Sequence, residues 1–290
     1  MYKRRMAALL LLLVLLFGCT AAAEENVETQ RVFMADETAP FGEEEQLLTI
    51  RVCPLTGADS MLVTYGDMTM LVDAGKAIDY PLVKEMLDNA GIEKLDILFN
   101  THPHSDHIGS VAKIVESGLP IGRFMTLFPH DYTGNAIVQR SSIAALEAAG
   151  IPIVDVDDGF KVPFGDVDIT VMRQTKADSD NDLSAMLMLK LGETTALLSG
   201  DVEYIAQWYL VRAHDLKADI LKYPHHAVSR LNPEFLDAVQ PEFCFITHGS
   251  KDTKTAQKQL NMAGIPYMFA TWGEITMQTN GEKWIVDQND

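Results

Sequence analysis

Cysteine is scarce in this chain: three in 290 residues, none of them in a C-x-x-C pair. That excludes a cysteine zinc knuckle and a dithiol redox centre. Basic residues are also few, 23 Lys and Arg against 41 Asp and Glu, and the formal charge is −18. Lys3, Arg4 and Arg5 lie together at the N-terminus, and no further basic cluster follows. A surface of this sign repels phosphate polymers and anionic lipids at long range, which disfavours nucleic acid as a partner. An anionic substrate would have to be captured locally, by metal ions. Beyond residue 17 no second apolar stretch of membrane length follows. Nothing in the sequence points to a protein partner.

The N-terminus does carry an apolar run, Met6 to Phe17, behind the three basic residues and ahead of small ones. This is the layout of a secretory signal, and twelve residues are too few for a comfortable membrane span. Leu16-Phe17-Gly18-Cys19 resembles a bacterial lipobox, which would make Cys19 the acylated first residue of an exported, membrane-anchored lipoprotein. Cleavage after Ala21-Ala22-Ala23 would give a secreted form instead. Residues 1–23 are therefore read as the signal. Residues 24–46, acidic and without periodicity, read as a flexible tether, and 47–290 as one domain, since no second linker interrupts them. Cys53 and Cys244 lie in the strand-like runs "LLTIRVC" and "EFCFIT". They read as buried thiols acting as small hydrophobes, although an exported protein could pair them.

From Leu47 onward strand and helix signals alternate. "LLTIRVC", "SMLVTYG", "MTMLVDAG" and "KLDILFNTH" read as strands, followed later by "DVDITVMRQ", "SAMLMLKLG", "TTALLSGD", "ADILKYPHH" and "EFCFITHG". "DYPLVKEMLDNAGI" reads as a helix with Pro81 in its first turn and Gly91 as its stop, and "HIGSVAKIVESG" as another. A terminal hairpin closes the chain. Two halves, each of strands followed by helices, predict an α/β fold of two packed sheets with helices outside. Polar residues collect where strands end, a usual place for a site in layered α/β folds.

The stretch "NTHPHSDHIGSV" places His102, His104, Asp106 and His107 within six positions, and the whole chain has only eight histidines. Imidazole and carboxylate together suit zinc, and also manganese or iron. At a strand-to-helix turn, His102 and His104 can point one way while Asp106 and His107 point another. One loop can thus serve two adjacent ions.

This loop is similar to the signature of the metallo-β-lactamase superfamily. Its flanks resemble the C-terminal hydrolase domain of ComEC-type DNA-uptake proteins: "GADSMLV", "MLVDAG", "LLSGD", "ADILKYPHH" and "TWGEITMQTNGEKW". The resemblance implies an αββα sandwich, two mixed β-sheets flanked by helices, with the site at one rim. It implies two divalent ions, zinc foremost and manganese as the alternative. His102 and His104 would bind metal 1; Asp106, His107 and His225 would bind metal 2; Asp201 would bridge them, and Asp73 would orient the loop from behind. His226 is left as a ligand, an orienting group or a proton donor. Asp106, Asp201, His226 and Asn181 are the residues expected to take part in the reaction itself.

The chain departs from the family pattern where a further metal 1 histidine usually stands. His130 comes too early in the order, and the matching stretch "DNDLSAML" offers Asn181, a weak ligand or a substrate contact. Metal 1 is short of protein ligands, and a one-metal enzyme stays open. Two adjacent cations lower the pKa of a shared water from about 15.7 to about 7 and so supply metal-bound hydroxide for hydrolysis. A bridging aspartate is typical of the phosphodiesterase-like branches of that superfamily, so the resemblance implies a phosphoric (di)ester as substrate, small or polymeric, outside the membrane. The alternatives are lactam, amide or other ester hydrolysis, and a non-catalytic, metal-bearing surface lipoprotein.

Overall fold

Successive side chains of a strand point to opposite faces of its sheet, and this alternation decides which layer each residue joins. The computed structural model describes residues 30–128, 137–175 and 179–289. In chain order, β1 (Val32–Met34), β2 (Leu48–Val52), β3 (Met61–Tyr65), β4 (Met68–Val72), β5 (Ile97–Asn100), β6 (Phe124–Thr126) and β7 (Ile153–Asp155) belong to the first sheet. The second sheet holds β8 (Lys161–Val162), β9 (Asp168–Met172), β10 (Met186–Leu191) and β11 (Thr194–Leu198). It continues with β12 (Ile220–Lys222), β13 (Phe243–Ile246) and β14 (Tyr267–Phe269). The closing hairpin, β15 (Glu274–Thr279) and β16 (Trp284–Asn289), returns to the first sheet. The strand orders are β1-β16-β15-β2-β3-β4-β5-β6-β7 and β14-β13-β12-β11-β10-β9-β8.

Along β5, Ile97 and Phe99 face the space between the sheets and Leu98 faces outward; along β11, Ala196 and Leu198 face inward and Leu197 outward. The outer faces are covered by helices. Val83 of α1 (Tyr80–Asn89), Ile114 of α3 (Val111–Glu116) and Leu146 of α4 (Ile137–Ala148) pack on the first sheet. Leu210 of α5 (Tyr204–Ala213), Phe235 of α6 (Pro233–Val239) and Leu260 of α7 (Lys254–Ala263) pack on the second. The result is the αββα sandwich expected from the sequence. Cys53 and Cys244 are both buried and free, in helix-facing layers on opposite sides of the molecule.

The structure differs from the sequence reading in two places. The expected helix from His107 is broken: a single turn, α2 (Ser105–Ile108), precedes α3. Gly109 sits at the break because a Cβ there would lie 2.6 Å from the Ala77 nitrogen and 2.8 Å from the Gly75 oxygen. That close approach lets the Ala74 amide reach the His107 carbonyl at 2.6 Å, fixing the metal-type loop to the end of β4. The second difference lies within the stretch 24–46 read as a tether, where residues 32–34 add to the sheet edge, parallel to β16. Val32 is buried there, and the Glu242 carboxylate accepts from the Arg31 and Val32 amides at 2.8 and 2.9 Å. Cys19 and His130 lie outside the described residues. Among the described residues no helix is long and apolar enough to cross a membrane.

Candidate metal centre

Strand ends from both sheets meet at one rim. β4 delivers Asp73, β5 the loop from His102 to His107, β11 the Ser199-Gly200-Asp201 turn, and β12 Lys222 followed by His225 and His226. Asp201, buried, is the point of convergence. Its Oδ2 lies 3.1 Å from His107 Nε2, 3.3 Å from His226 Nε2, 3.8 Å from His102 Nε2 and 4.0 Å from His225 Nε2. Asp106 Oδ2 stands 3.5 Å from His226 Nε2. Ligand atoms of Asp59, His107, Asp201 and His226 all lie within 4.8 Å of one another.

The imidazoles of His107 and His226 are each held from behind by a carboxylate, whereas His102 Nδ1 lies 3.1 Å from the Thr101 hydroxyl. Asp73 accepts from His107 Nδ1 at 2.8 Å, from the Thr101 hydroxyl at 2.7 Å and amide at 2.8 Å, and from Asn100 Nδ2 at 3.0 Å. Asp59 Oδ1 accepts from Thr247 Oγ1 at 2.6 Å and lies 3.0 Å from His226 Nδ1, while its Oδ2 meets the Lys222 ammonium. Both Asp59 oxygens are therefore engaged by other side chains, and Asp59 orients His226 as Asp73 orients His107.

The two adjacent histidines after β12 go different ways because the chain turns left-handed at His225, His226 and Ala227, with φ of 49°, 48° and 66°. Three such residues in a row are costly, about 1–2 kcal/mol each, and persist only where surrounding bonds over-determine them. The turn buries His226 and leaves His225 on the rim, its Nδ1 3.1 Å from Glu203. Asn181 also faces the rim, donating to Glu203 at 3.1 Å with its Nδ2 3.4 Å from His225 Nε2. His104 sits there too, its Nε2 3.7 Å from Asp180 Oδ2. The inner group thus includes His226, whose role the sequence reading left open, and His225, expected at metal 2, lies on the rim.

Asp59 and Lys222 are absent from the sequence reading. Their signals are faint: an aspartate opening an apolar strand in "GADSMLV", and one lysine inside the apolar run "DILKY". Both are wholly buried.

The electrostatics follow from this packing. Burial alone would lower the His107 pKa, but the Asp201 and Asp73 carboxylates outweigh it and push it up to about 10. Burial likewise opposes charge on His226, and Asp201 and Asp59 carry its pKa well above the ordinary value. His102 is held well below its ordinary value by burial and by the neighbouring His107 charge. Asp201 stays ionised against its burial because His107, His226 and Lys222 surround it.

The donor set fits divalent cations. The buried Nε2 atoms of His102, His107 and His226 complete no hydrogen bond, although all three aim at one carboxylate oxygen. Imidazole with carboxylate is a usual ligand set for first-row metals.

The sequence matches the model of the Metallo-beta-lactamase superfamily over residues 53–248, and the chain belongs to that superfamily of metal-dependent hydrolases. No curated protein matches it. Among solved structures it is similar to the metallo-beta-lactamase fold protein YhfI from Bacillus subtilis, at 15% identity and a TM-score of 0.57, over 80% of this chain and all of that one. It is also similar to CmlA, a diiron beta-hydroxylase from Streptomyces venezuelae, at 14% identity and a TM-score of 0.54 over 83% of this chain. The match spans 55% of CmlA. At these identities the likeness concerns the fold alone.

Proposed function

We propose that the chain is a hydrolase of phosphoric esters that holds two divalent cations at this rim. The observation that carries the reading is the convergence of imidazole nitrogens from two loops on Asp201 Oδ2, so that Asp201 and these imidazoles would together hold the cations. Asp106, His107 and His226 would hold one ion, His102 and His104 the other, with His225 and Asn181 beside the opening. His226 is preferred to His225 on the inner side because it is closer to Asp201 and buried. When bound, the cations would supply Lewis acidity and an activated water. The chain's own part is to fix the ligands, through Asp73 and Asp59, and to leave the rim open to substrate at His104, His225 and Asn181. A bridging aspartate and the lack of a further metal 1 histidine support phosphoric esters over lactams, and zinc or manganese as the ions. The ComEC-like motifs support the same substrate class. The signal-like N-terminus supports a location outside the membrane, with Cys19 as the anchor.

The test uses residues 24–290. Bound metal is measured by ICP-MS, and turnover of bis-p-nitrophenyl phosphate is followed with Zn²⁺ or Mn²⁺, with His104→Ala and Asp201→Ala as controls. Near two metals per chain, with turnover lost in both variants, is the expected result. Bound metal with turnover of nitrocefin and none of the phosphodiester would replace the reading with a lactamase. Bound metal with neither activity would point to a binding role.

A further inference from the structure

Lys222 is the last residue of β12 and is wholly buried, between Leu221 and Tyr223, which are buried too. An ammonium in such a place is kept only if each of its three donors is used. Nζ donates to the Gly200 carbonyl at 2.7 Å, meets Asp59 Oδ2, and lies 3.4 Å from Asp201 Oδ1. Its main chain grips the same turn, because the Lys222 carbonyl accepts from Ser199 Oγ at 2.6 Å. From the other side Ser184 Oγ accepts from the Asp201 amide at 3.3 Å. Gly200, at φ 53°, leaves no room for a side chain: a Cβ would fall 2.7 Å from the Ala185 oxygen. Asp201 is thus presented in one orientation, and its two oxygens are unlike. Oδ1 faces Lys222; Oδ2 faces the imidazoles.

A carboxylate can serve two cations through one oxygen, through one oxygen each, or it can chelate a single ion with both. We propose that Lys222 is a positioning residue that, by occupying Asp201 Oδ1, leaves Oδ2 as the one oxygen offered to both cations. This rests on the two-cation reading above. The internal cation thereby selects a shared-oxygen pair over chelation of a single ion, and Asp59 is the counter-charge that keeps it in place. Thr247 and His226 hold Asp59 in turn.

The test substitutes both members of the buried pair, Asp59→Asn with Lys222→Met, so that the net charge of the site is unchanged. Asn also keeps an oxygen for Thr247 and His226. Folding is checked by circular dichroism, and Co²⁺ is titrated into metal-free protein while visible absorption and EPR are followed. Wild type is expected to take two Co²⁺ whose signals are spin-coupled. The folded double variant is expected to bind the first Co²⁺, to bind the second about 10–100-fold more weakly, and to lose the coupling. Wild-type uptake and coupling in the folded double variant would overturn the role of Lys222 and leave the two-cation reading intact. A wild type that binds a single Co²⁺ would overturn both. Asp59→Asn with Lys222→Gln, which keeps a donor for Gly200, is judged by the same signals should the first pair not fold.

Discussion

At the scale of single residues, the site depends on which histidine nitrogen points where. His226→Ala should remove one ion per chain, read by ICP-MS, while His225→Ala should keep the metal count and weaken turnover. Equal metal loss in both would return His225 to the ligand set. Asp73→Ala, which frees the His107 ring, should lower metal affinity about 10–100-fold with the fold retained. The pH dependence has a definite sign. His107, raised to about 10 in the metal-free protein, stabilises that form fully below its ordinary value near 6.5 and loses this contribution as pH rises through 10. Metal binding needs the neutral ring, so affinity should climb about tenfold per pH unit for each proton displaced. Calorimetry in two buffers of different ionisation enthalpy measures that proton release; none at pH 7 would contradict the assignment. The motif from His102 to His107 was legible because its members are contiguous. The Asp59–Lys222 pair was not, because its two members are 163 residues apart and each resembles an ordinary strand-end residue alone. Neither was the choice between His225 and His226, which is made by a left-handed turn that no spacing announces.

At the scale of elements, the longer strands were readable from their apolar runs, and α1 from Pro81 and Gly91. The break between α2 and α3 was not, since it comes from backbone approaching backbone across Gly109. β1 was missed for a different reason. Three residues carry too little pattern to announce a strand, and most of its hold comes from β16 and Glu242, more than 200 residues away. Starting the protein at residue 47 should therefore cost about 1–3 kcal/mol relative to a start at residue 24, read by urea denaturation. It should also expose β16 as an unpaired sheet edge, a template for association. A monomer of equal stability would show that β1 is dispensable.

At the scale of the whole molecule, the strongly acidic balance sets what the rim can meet. Small phosphoric esters should be turned over in preference to duplex DNA, and lowering the salt should widen the gap, because repulsion between like charges is then less screened. Faster DNA cleavage at low salt would reverse this. The centre is assembled from loops of both sheets, so a cation bound there ties the two halves together and has no counterpart in the unfolded chain. Metal at about 100 times its Kd should add about 2.7 kcal/mol to the folded state and raise the melting temperature by about 5–10 °C, reversibly with EDTA. The melting curve then becomes a gauge of ion identity. Scanned across zinc, manganese, iron and cobalt, the unfolding temperature ranks the ions by how well each closes the molecule, before any substrate is known.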